Sequence, residues 1–130
     1  MSVIARAVSA QTLQTRVAEM AASICADFEG KEPVVLGVLQ GAVPFLSDLS
    51  RHLSPRVDID FLSLTRFGSE GRVAISVDTA TPISGRHVLI VEDIVDTGLT
   101  LAYLLSLLET RGPASLTTAT LLDKRSQRIV

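Results

Sequence analysis

Apolar residues near the start of the chain follow the period of an α-helix. They recur every three or four positions, with polar residues between them, at Leu13, Val17, Met20, Ile24 and Phe28. This spacing predicts an amphipathic helix over residues 10–29, with its apolar stripe packed against the rest of the fold. Gly30 follows directly, and a glycine just beyond the last apolar position is a common helix terminus.

Short apolar runs predict the strands of a sheet. Val34–Leu39 and Val88–Val91 are aliphatic, partly β-branched and too short to span a membrane, which is typical of strands covered on both faces. Val57–Leu64 begins with an alternation of apolar and polar residues, and Val73–Val77 and Ser115–Leu122 have strand-like compositions. Five strands are therefore expected.

Helices are predicted between these strands. One covers Val43–Leu53, with Pro44 acceptable in its first turn, and another runs from Leu99 to Arg111, before a Gly-Pro stop. Thr65–Arg72 contains two glycines and few apolar residues, so we expect a mobile loop there. This order of strands and helices predicts a three-layer α/β fold with a mainly parallel sheet between helices. We expect it to form a single domain over residues 1–130.

Composition narrows the class of protein. Twelve basic and fourteen acidic residues give a net charge of −2, and the absence of a basic block argues against nucleic acid as a partner. The single cysteine, Cys25, excludes an internal disulfide and fits a reducing cytosol. The sequence shows neither a secretory signal pattern nor an apolar run long enough for a membrane, so we expect a cytoplasmic protein.

Two adjacent acids follow the predicted strand Val88–Val91. A buried strand does not tolerate ionised carboxylates without partners, so Glu92 and Asp93 are expected to face a ligand or a metal. In open α/β sheets, ligands bind at the carboxyl ends of the strands. The two acids therefore indicate a binding site.

The segment Asp96–Thr100 supplies two hydroxyls, a glycine that can adopt a positive φ, and the unpaired N–H groups of a helix start. Such a helix start favours an anion. The alternative is that Asp96 or Thr97 only caps the helix, as these residue types commonly do. Capping does not explain the adjacent pair of acids. Acids that can bind a diol or Mg²⁺, next to a site for phosphate, predict a sugar phosphate as the ligand.

The run V-L-I-V-E-D-I-V-D-T-G-L-T resembles the phosphoribosyl pyrophosphate (PRPP) signature of type I phosphoribosyltransferases, and in particular the hypoxanthine-guanine branch. The resemblance implies that Glu92 and Asp93 bind the ribose hydroxyls and contact metal weakly, through water or substrate. It implies a 5′-phosphate site made by Asp96, Thr97, Gly98, Leu99 and Thr100. Asp96 would also be the catalytic acid or base near the purine imidazole nitrogen.

Three other segments also resemble the family, but two of them differ from its usual residues. The pyrophosphate loop corresponds to Leu39, Gln40, Gly41 and Ala42, where the family usually has Leu-Lys-Gly, so that Gln40 lacks the lysine charge. Arg66 and Phe67 stand where the flexible loop usually carries Ser-Tyr, and Arg66 could neutralise pyrophosphate instead. The alternative for this segment is a surface hairpin with a solvated arginine. L-L-D-K places Lys124 where the family contacts the exocyclic oxygen of a 6-oxopurine.

The implied activity is purine salvage: transfer of 5-phosphoribosyl from PRPP to hypoxanthine or guanine, giving the nucleoside monophosphate and pyrophosphate with Mg²⁺. A homodimer or homotetramer is expected. Family members continue into a segment that covers the purine, and no counterpart follows Lys124 in this sequence. We therefore expect weak or absent turnover from these 130 residues, and recovery of activity in any longer native form. The alternative is a non-catalytic PRPP or nucleotide sensor. A Rossmann cofactor domain ranks behind both, because its glycine fingerprint is missing.

Overall fold

The structure of the protein, a computed structural model, describes residues 9–54, 56–68, 72–95 and 98–123. The elements are, in chain order, α1 (Ala10–Asp27), β1 (Val34–Leu39), α2 (Ala42–Ser50), β2 (Asp58–Phe67), β3 (Arg72–Val77), β4 (His87–Val95), α3 (Leu99–Glu109) and β5 (Ser115–Asp123). Every predicted helix and strand is present, in the predicted order.

The five strands form one sheet in the order β3-β2-β1-β4-β5. β1 lies in the middle and pairs in parallel with β2 and β4, and β4 pairs in parallel with β5. Only β3 is antiparallel, as an edge strand on β2. The mainly parallel α/β fold is confirmed.

Both faces of the middle strands are covered, which explains their continuous apolar runs. On one face, alternate residues of β1 and β4 pack with α1 and α2, and this cluster includes Val35, Leu89, Val91, Phe45, Leu46 and Leu49. On the other face they pack against α3, in a cluster that includes Leu36, Ile90, Leu104 and Leu108. Leu49, Leu104 and Leu108 are fully buried, and truncating such a leucine to alanine typically costs about 2–5 kcal/mol.

The connection after β3 is fixed to β2 by one carboxylate. Oδ2 of Asp60 accepts hydrogen bonds from the hydroxyls of Thr79 and Thr81, at 2.7 and 2.9 Å, and from the backbone N–H groups of Ala80 and Thr81. Its Oδ1 accepts from the N–H of Phe61 at 2.8 Å. Because these bonds stabilise the ionised form, the pKa of Asp60 is well below its usual range, the Thr79 hydroxyl being the largest cause.

All three helices end earlier than predicted, and α3 ends at Glu109 and not at Arg111. α1 ends at Asp27, two residues early, where the backbone N–H of Phe28 closes the helix onto Ala26 and Ile24. α2 ends at Ser50 and not at Leu53, because His52 and Leu53 bond to carbonyls three residues back and form a tighter turn. Gly30 has a φ of 75°, as a helix terminator requires.

The predicted mobile loop Thr65–Arg72 is strand at residues 65–67 and at Arg72, so the prediction was wrong for these four residues. Arg66 and Phe67 end β2 and pair with Val73 and Arg72 of β3. Antiparallel pairing satisfies their backbone groups, and the turn begins at Gly68, whose φ is 73°. The hairpin alternative is therefore confirmed for its strands, while residues 69–71 lie outside the described part of the chain.

Within the described ranges, no helix is both long and apolar enough to cross a membrane.

Candidate functional site

Two helices begin where two neighbouring parallel strands end. β1 leads through Gln40 and Gly41 into α2, and β4 leads into α3, whose N-cap is Gly98. Because β1 and β4 are parallel neighbours, both connections lie at the same edge of the sheet. This carboxyl edge is the candidate site.

The acids lie inside β4 and not after it. β4 continues to Val95, and Glu92 pairs with Thr120 of β5, so the predicted strand end at Val91 was wrong because β5 extends the ladder. Successive strand residues point to opposite faces. Since Val91 packs with α1 and α2 and Ile90 packs with α3, Asp93 belongs to the α2 face and Glu92 to the α3 face.

Gly41 lies directly against the Asp93 carboxylate. A Cβ atom at Gly41 would be 2.6 Å from Oδ2 of Asp93 and 2.9 Å from its Cγ, closer than van der Waals radii allow. The backbone conformation is ordinary, with φ −61° and ψ −30°, so glycine is required here by space and not by torsion. The structure thus identifies the Asp93 carboxylate as the close neighbour of Gly41.

The pKa of Glu92 is raised from 4.5 to about 7. Burial of the carboxyl is the first cause, and the negative charge of Asp93 is the second. Near neutral pH the side chain therefore exists in both protonation states. A hydroxyl or cation bound beside Glu92 would favour its ionised form. A strongly shifted pKa is common among carboxyls at functional sites.

The start of α3 has the predicted glycine geometry. Gly98 has φ 85° and ψ −8°, a left-handed conformation, and α3 has no acidic residue in its first turn. Leu99 is exposed and Thr100 is half-buried. Asp96 and Thr97 lie outside the described residues, so neither the capping nor the phosphate interpretation of their side chains is tested.

The loop between β1 and α2 presents Gln40 to solvent. Leu39 is half-buried, Ala42 is buried and the peptide bond between Leu39 and Gln40 is cis. The carbonyl of Gln40 accepts from the N–H of Val43 at 3.1 Å. The exposed amide of Gln40 is thus available to a ligand at the edge that also holds Gly41 and Asp93.

Arg66 reaches the start of α3. Its Nη2 donates to Oγ1 of Thr100 at 3.1 Å, so the guanidinium of the β2–β3 hairpin lies beside the predicted phosphate segment. Arg66 is exposed, as the surface-hairpin alternative predicted, and its hydrogen bond also joins two segments that are distant in the sequence.

Sequence reasoning did not single out Thr120, whose hydroxyl donates to the carbonyl of Asp93 at 3.5 Å. A threonine on a strand gives no sign of this role, because the β4–β5 register must be known first. The base-recognition candidate Lys124 lies outside the described residues.

The side chains at this edge can be compared with the ligands that the expected metal ion requires. Among the residues that the structure describes, no three His, Cys, Asp or Glu side chains are grouped to hold an ion. Glu92 and Asp93 supply carboxylate oxygens on two faces of one strand. This fits a magnesium ion held mainly by substrate oxygens and water, with the protein acids as weak contacts.

A cavity of about 300 Å³ opens at the opposite edge of the sheet, between the ends of α1 and α2. Its lining includes Cys25, Phe28 and Arg56, and the Cys25 thiol donates to the carbonyl of His52 at 3.7 Å. Its lining contains neither the paired acids nor a helix start, so it is not the candidate site.

The chain is similar to phosphoribosyltransferases of known sequence. The chain is 39% identical over 125 residues to the hypoxanthine-guanine phosphoribosyltransferase of Bacillus subtilis, covering 93% of this chain and 69% of that protein. It is 42% identical over 127 residues to the enzyme of the same name from Lactococcus lactis, covering 95% of this chain and 69% of the relative. The chain thus spans about two thirds of the length of these relatives.

Solved structures show the same fold. A hypoxanthine-guanine phosphoribosyltransferase from Bacillus anthracis superposes with a TM-score of 0.94 at 40% identity, covering all of this chain and 79% of that one. A hypoxanthine phosphoribosyltransferase from Trypanosoma cruzi, a point mutant complexed with the product IMP, gives a TM-score of 0.85 at 42% identity over 92% of this chain and 68% of that one. The model of the phosphoribosyl transferase domain matches residues 8–130. The chain belongs to the phosphoribosyl transferase domain family.

Proposed function

We propose that the protein transfers a 5-phosphoribosyl group from PRPP to hypoxanthine or guanine, forming the nucleoside monophosphate and pyrophosphate. The named relatives are hypoxanthine-guanine phosphoribosyltransferases at about 40% identity. The observation that carries the proposal is the close approach of Gly41 to Asp93, because it brings the proposed pyrophosphate loop against the proposed ribose-binding acids.

Each reactant group has a proposed partner at the carboxyl edge. Glu92 and Asp93 would accept hydrogen bonds from the ribose hydroxyls. Gln40 and the backbone at Gly41 would contact pyrophosphate. Asp96 through Thr100 would hold the 5′-phosphate at the N-terminus of α3, where N–H groups and the helix dipole favour an anion.

Proton transfer and base recognition are assigned to two residues outside the described ranges. Asp96 would accept the proton that leaves the purine imidazole ring as the glycosidic bond forms. Lys124 would donate to the oxygen at purine position 6. Mg²⁺, when bound, would neutralise charge on the departing pyrophosphate.

A transfer assay tests this function. The full chain is incubated with Mg²⁺, PRPP and isotopically labelled hypoxanthine, guanine or adenine, and nucleotide and pyrophosphate are quantified together. Equal amounts of nucleoside monophosphate and pyrophosphate from hypoxanthine or guanine are expected. Loss of PRPP without nucleotide would indicate hydrolysis and would contradict the proposal.

A non-catalytic PRPP or nucleotide sensor is the second candidate, favoured by the uncharged Gln40 in the pyrophosphate loop. It differs from the enzyme in binding PRPP with Mg²⁺ without forming nucleotide. A homodimer or homotetramer and a cytoplasmic location stay predictions, and native mass spectrometry tests the assembly.

A further inference from the structure

Arg66 differs in its bonding partner from four other arginines of the described chain. Arg16, Arg51, Arg86 and Arg111 each form an ion pair with a carboxylate, whereas the hydrogen bond of Arg66 goes to the neutral hydroxyl of Thr100. Among the described residues, no carboxylate forms a salt bridge with Arg66. A hydroxyl does not neutralise a guanidinium, so the charge remains available to an anion.

The backbone explains why Arg66 reaches this position. β2 runs parallel to β1 until Ser63 pairs with Leu39, and then continues beyond the end of β1 as one arm of the hairpin with β3. The register shifts between Ser63 and Leu64, and such an irregularity bends a strand and redirects its side chains. The extended arm brings Arg66 to the carboxyl edge.

Within the part of the chain that the structure describes, the start of α3 does not stabilise a cation. Thr100 lies in the first turn of α3, at the positive end of the helix dipole, and that turn contains no acidic residue. A guanidinium at a helix N-terminus is repelled by the dipole. A phosphate beside Thr100 would be attracted by the helix start and by Arg66 together.

We infer that Arg66 is a binding residue for the 5′-phosphate of the substrate, and that its hydrogen bond to Thr100 is the ligand-free position of a side chain that moves onto phosphate. This inference rests on the proposed function and adds a residue to it. It assigns Arg66 to the 5′-phosphate and not to pyrophosphate, because Thr100 belongs to the α3 start and not to the β1–α2 loop. Gln40 brings no positive charge to the pyrophosphate loop, and Arg66 brings its charge to the 5′-phosphate instead.

Isothermal titration with IMP, the nucleoside inosine and pyrophosphate tests the inference in the full chain. Arg66→Gln is expected to weaken IMP binding by about 10- to 100-fold, the usual range for loss of a charge-assisted hydrogen bond. Arg66→Lys should recover part of the affinity, since it keeps the charge and loses the planar fork. Binding of inosine and of pyrophosphate, which lack the 5′-phosphate, should change less than about twofold.

Arg51→Gln is the matched control, because Arg51 lies at the end of α2 with its side chain 72% exposed and pairs only weakly with Asp48 at 3.9 Å. Its IMP affinity should equal that of the unaltered protein. Unchanged IMP affinity in Arg66→Gln would overturn the inference, and so would a loss confined to pyrophosphate. Failure of the unaltered protein to bind either IMP or PRPP would instead refute the proposed function itself.

The thermal unfolding temperatures of these variants separate binding from folding. Arg66 is exposed, so Arg66→Gln is expected to unfold within about 2 °C of the unaltered protein without ligand, as surface substitutions generally do. Addition of IMP should then raise the unfolding temperature of Arg66→Gln less than that of Arg51→Gln. Equal increases would contradict the inference.

Discussion

Gly41 and Asp93 are in contact across the carboxyl edge of the sheet, and a Cβ atom at position 41 would lie 2.6 Å from the Asp93 Oδ2 atom. The loop after β1 and the acidic end of β4 therefore cannot be altered independently. Any side chain larger than hydrogen at position 41 displaces a carboxylate that we propose to bind ribose.

Gly41→Ala tests this dependence. Alanine fits the helical torsions of position 41, so the variant should fold, but the displaced Asp93 carboxylate should lower kcat/KM for PRPP by about 10- to 100-fold, as small misplacements in active sites do. The measurement is steady-state kinetics with varied PRPP.

The second-site control for this variant is Asp93→Ala. If the alanine methyl acts through Asp93, adding Gly41→Ala to Asp93→Ala should cause little further loss. Additive losses would show that Gly41 acts through the pyrophosphate and not through Asp93.

Glu92→Gln should change how stability depends on pH. The pKa of Glu92 is raised from 4.5 to about 7, so its contribution is complete below pH 4.5 and is lost as the pH rises through 7. The glutamine variant has no such loss. Above pH 7, and without ligand, Glu92→Gln should be more stable than the unaltered protein by roughly 1–3 kcal/mol. This range is reduced because the Glu92 side chain is partly exposed.

Urea unfolding at pH 5, 6, 7 and 8 measures this effect, with Glu109→Gln as an exposed control on α3. The stability difference between Glu92→Gln and the unaltered protein should grow with pH. A constant difference would show that Glu92 does not titrate in this range. PRPP binding should weaken in Glu92→Gln, since the acceptor charge is lost.

Asp60→Asn should destabilise the fold by about 2–4 kcal/mol, because an amide nitrogen would oppose donors that now bond to Oδ2. Asp58→Asn on the same strand is the matched control. Asp58 is 61% exposed and pairs with Arg86 at 2.9 Å, so its replacement should cost less than about 1 kcal/mol. Urea unfolding at pH 7 measures both.

The pKa of Asp60 is lowered on folding, so its stabilisation is present above the unfolded pKa of about 3.9 and is lost as the pH falls. The difference between Asp60→Asn and the unaltered protein should therefore narrow below about pH 4. A difference that stays constant down to pH 2 would contradict the hydrogen-bond explanation.

Lys124→Ala should reduce the preference for 6-oxopurines. Adenine presents a donor where hypoxanthine presents an acceptor, and an unmatched donor costs about 1–3 kcal/mol, or one to two decades of discrimination. Competition between hypoxanthine and adenine in the transfer assay measures this ratio. Lys31→Ala, at the other end of the sheet, is the control, and an unchanged ratio in Lys124→Ala would remove Lys124 from base recognition.

Local patterns of apolar and polar residues were sufficient to predict much of the fold. The apolar runs predicted β1 and β4 because both faces of those strands are buried, and Gly98 was recognised as a residue that can adopt positive φ because it is a glycine. The strand pairing of Arg66 and Phe67 was missed, since polar and glycine-rich residues resemble a loop until a partner strand is known.

The contacts that define the site could not be predicted from local patterns. Arg66 and Thr100 are 34 positions apart, and Asp60 and Thr79 are 19 apart. Each contact depends on strand register and on the order of strands in the sheet, which one sequence does not specify. The sequence singled out Glu92 and Asp93 as acids at the end of an apolar run, but their separation onto two faces followed only from the length of β4.

The location of the site is tested most directly by the backbone amide shifts of the isotopically labelled protein during titration with PRPP and Mg²⁺. The largest changes are expected at Gly41, at Glu92 and Asp93, and from Gly98 to Thr100, with Cys25 and Arg56 at the opposite cavity unaffected. Saturable changes confined to the carboxyl edge would support the proposed PRPP site. Changes centred on Cys25 and Arg56, with the carboxyl edge unchanged, would contradict it.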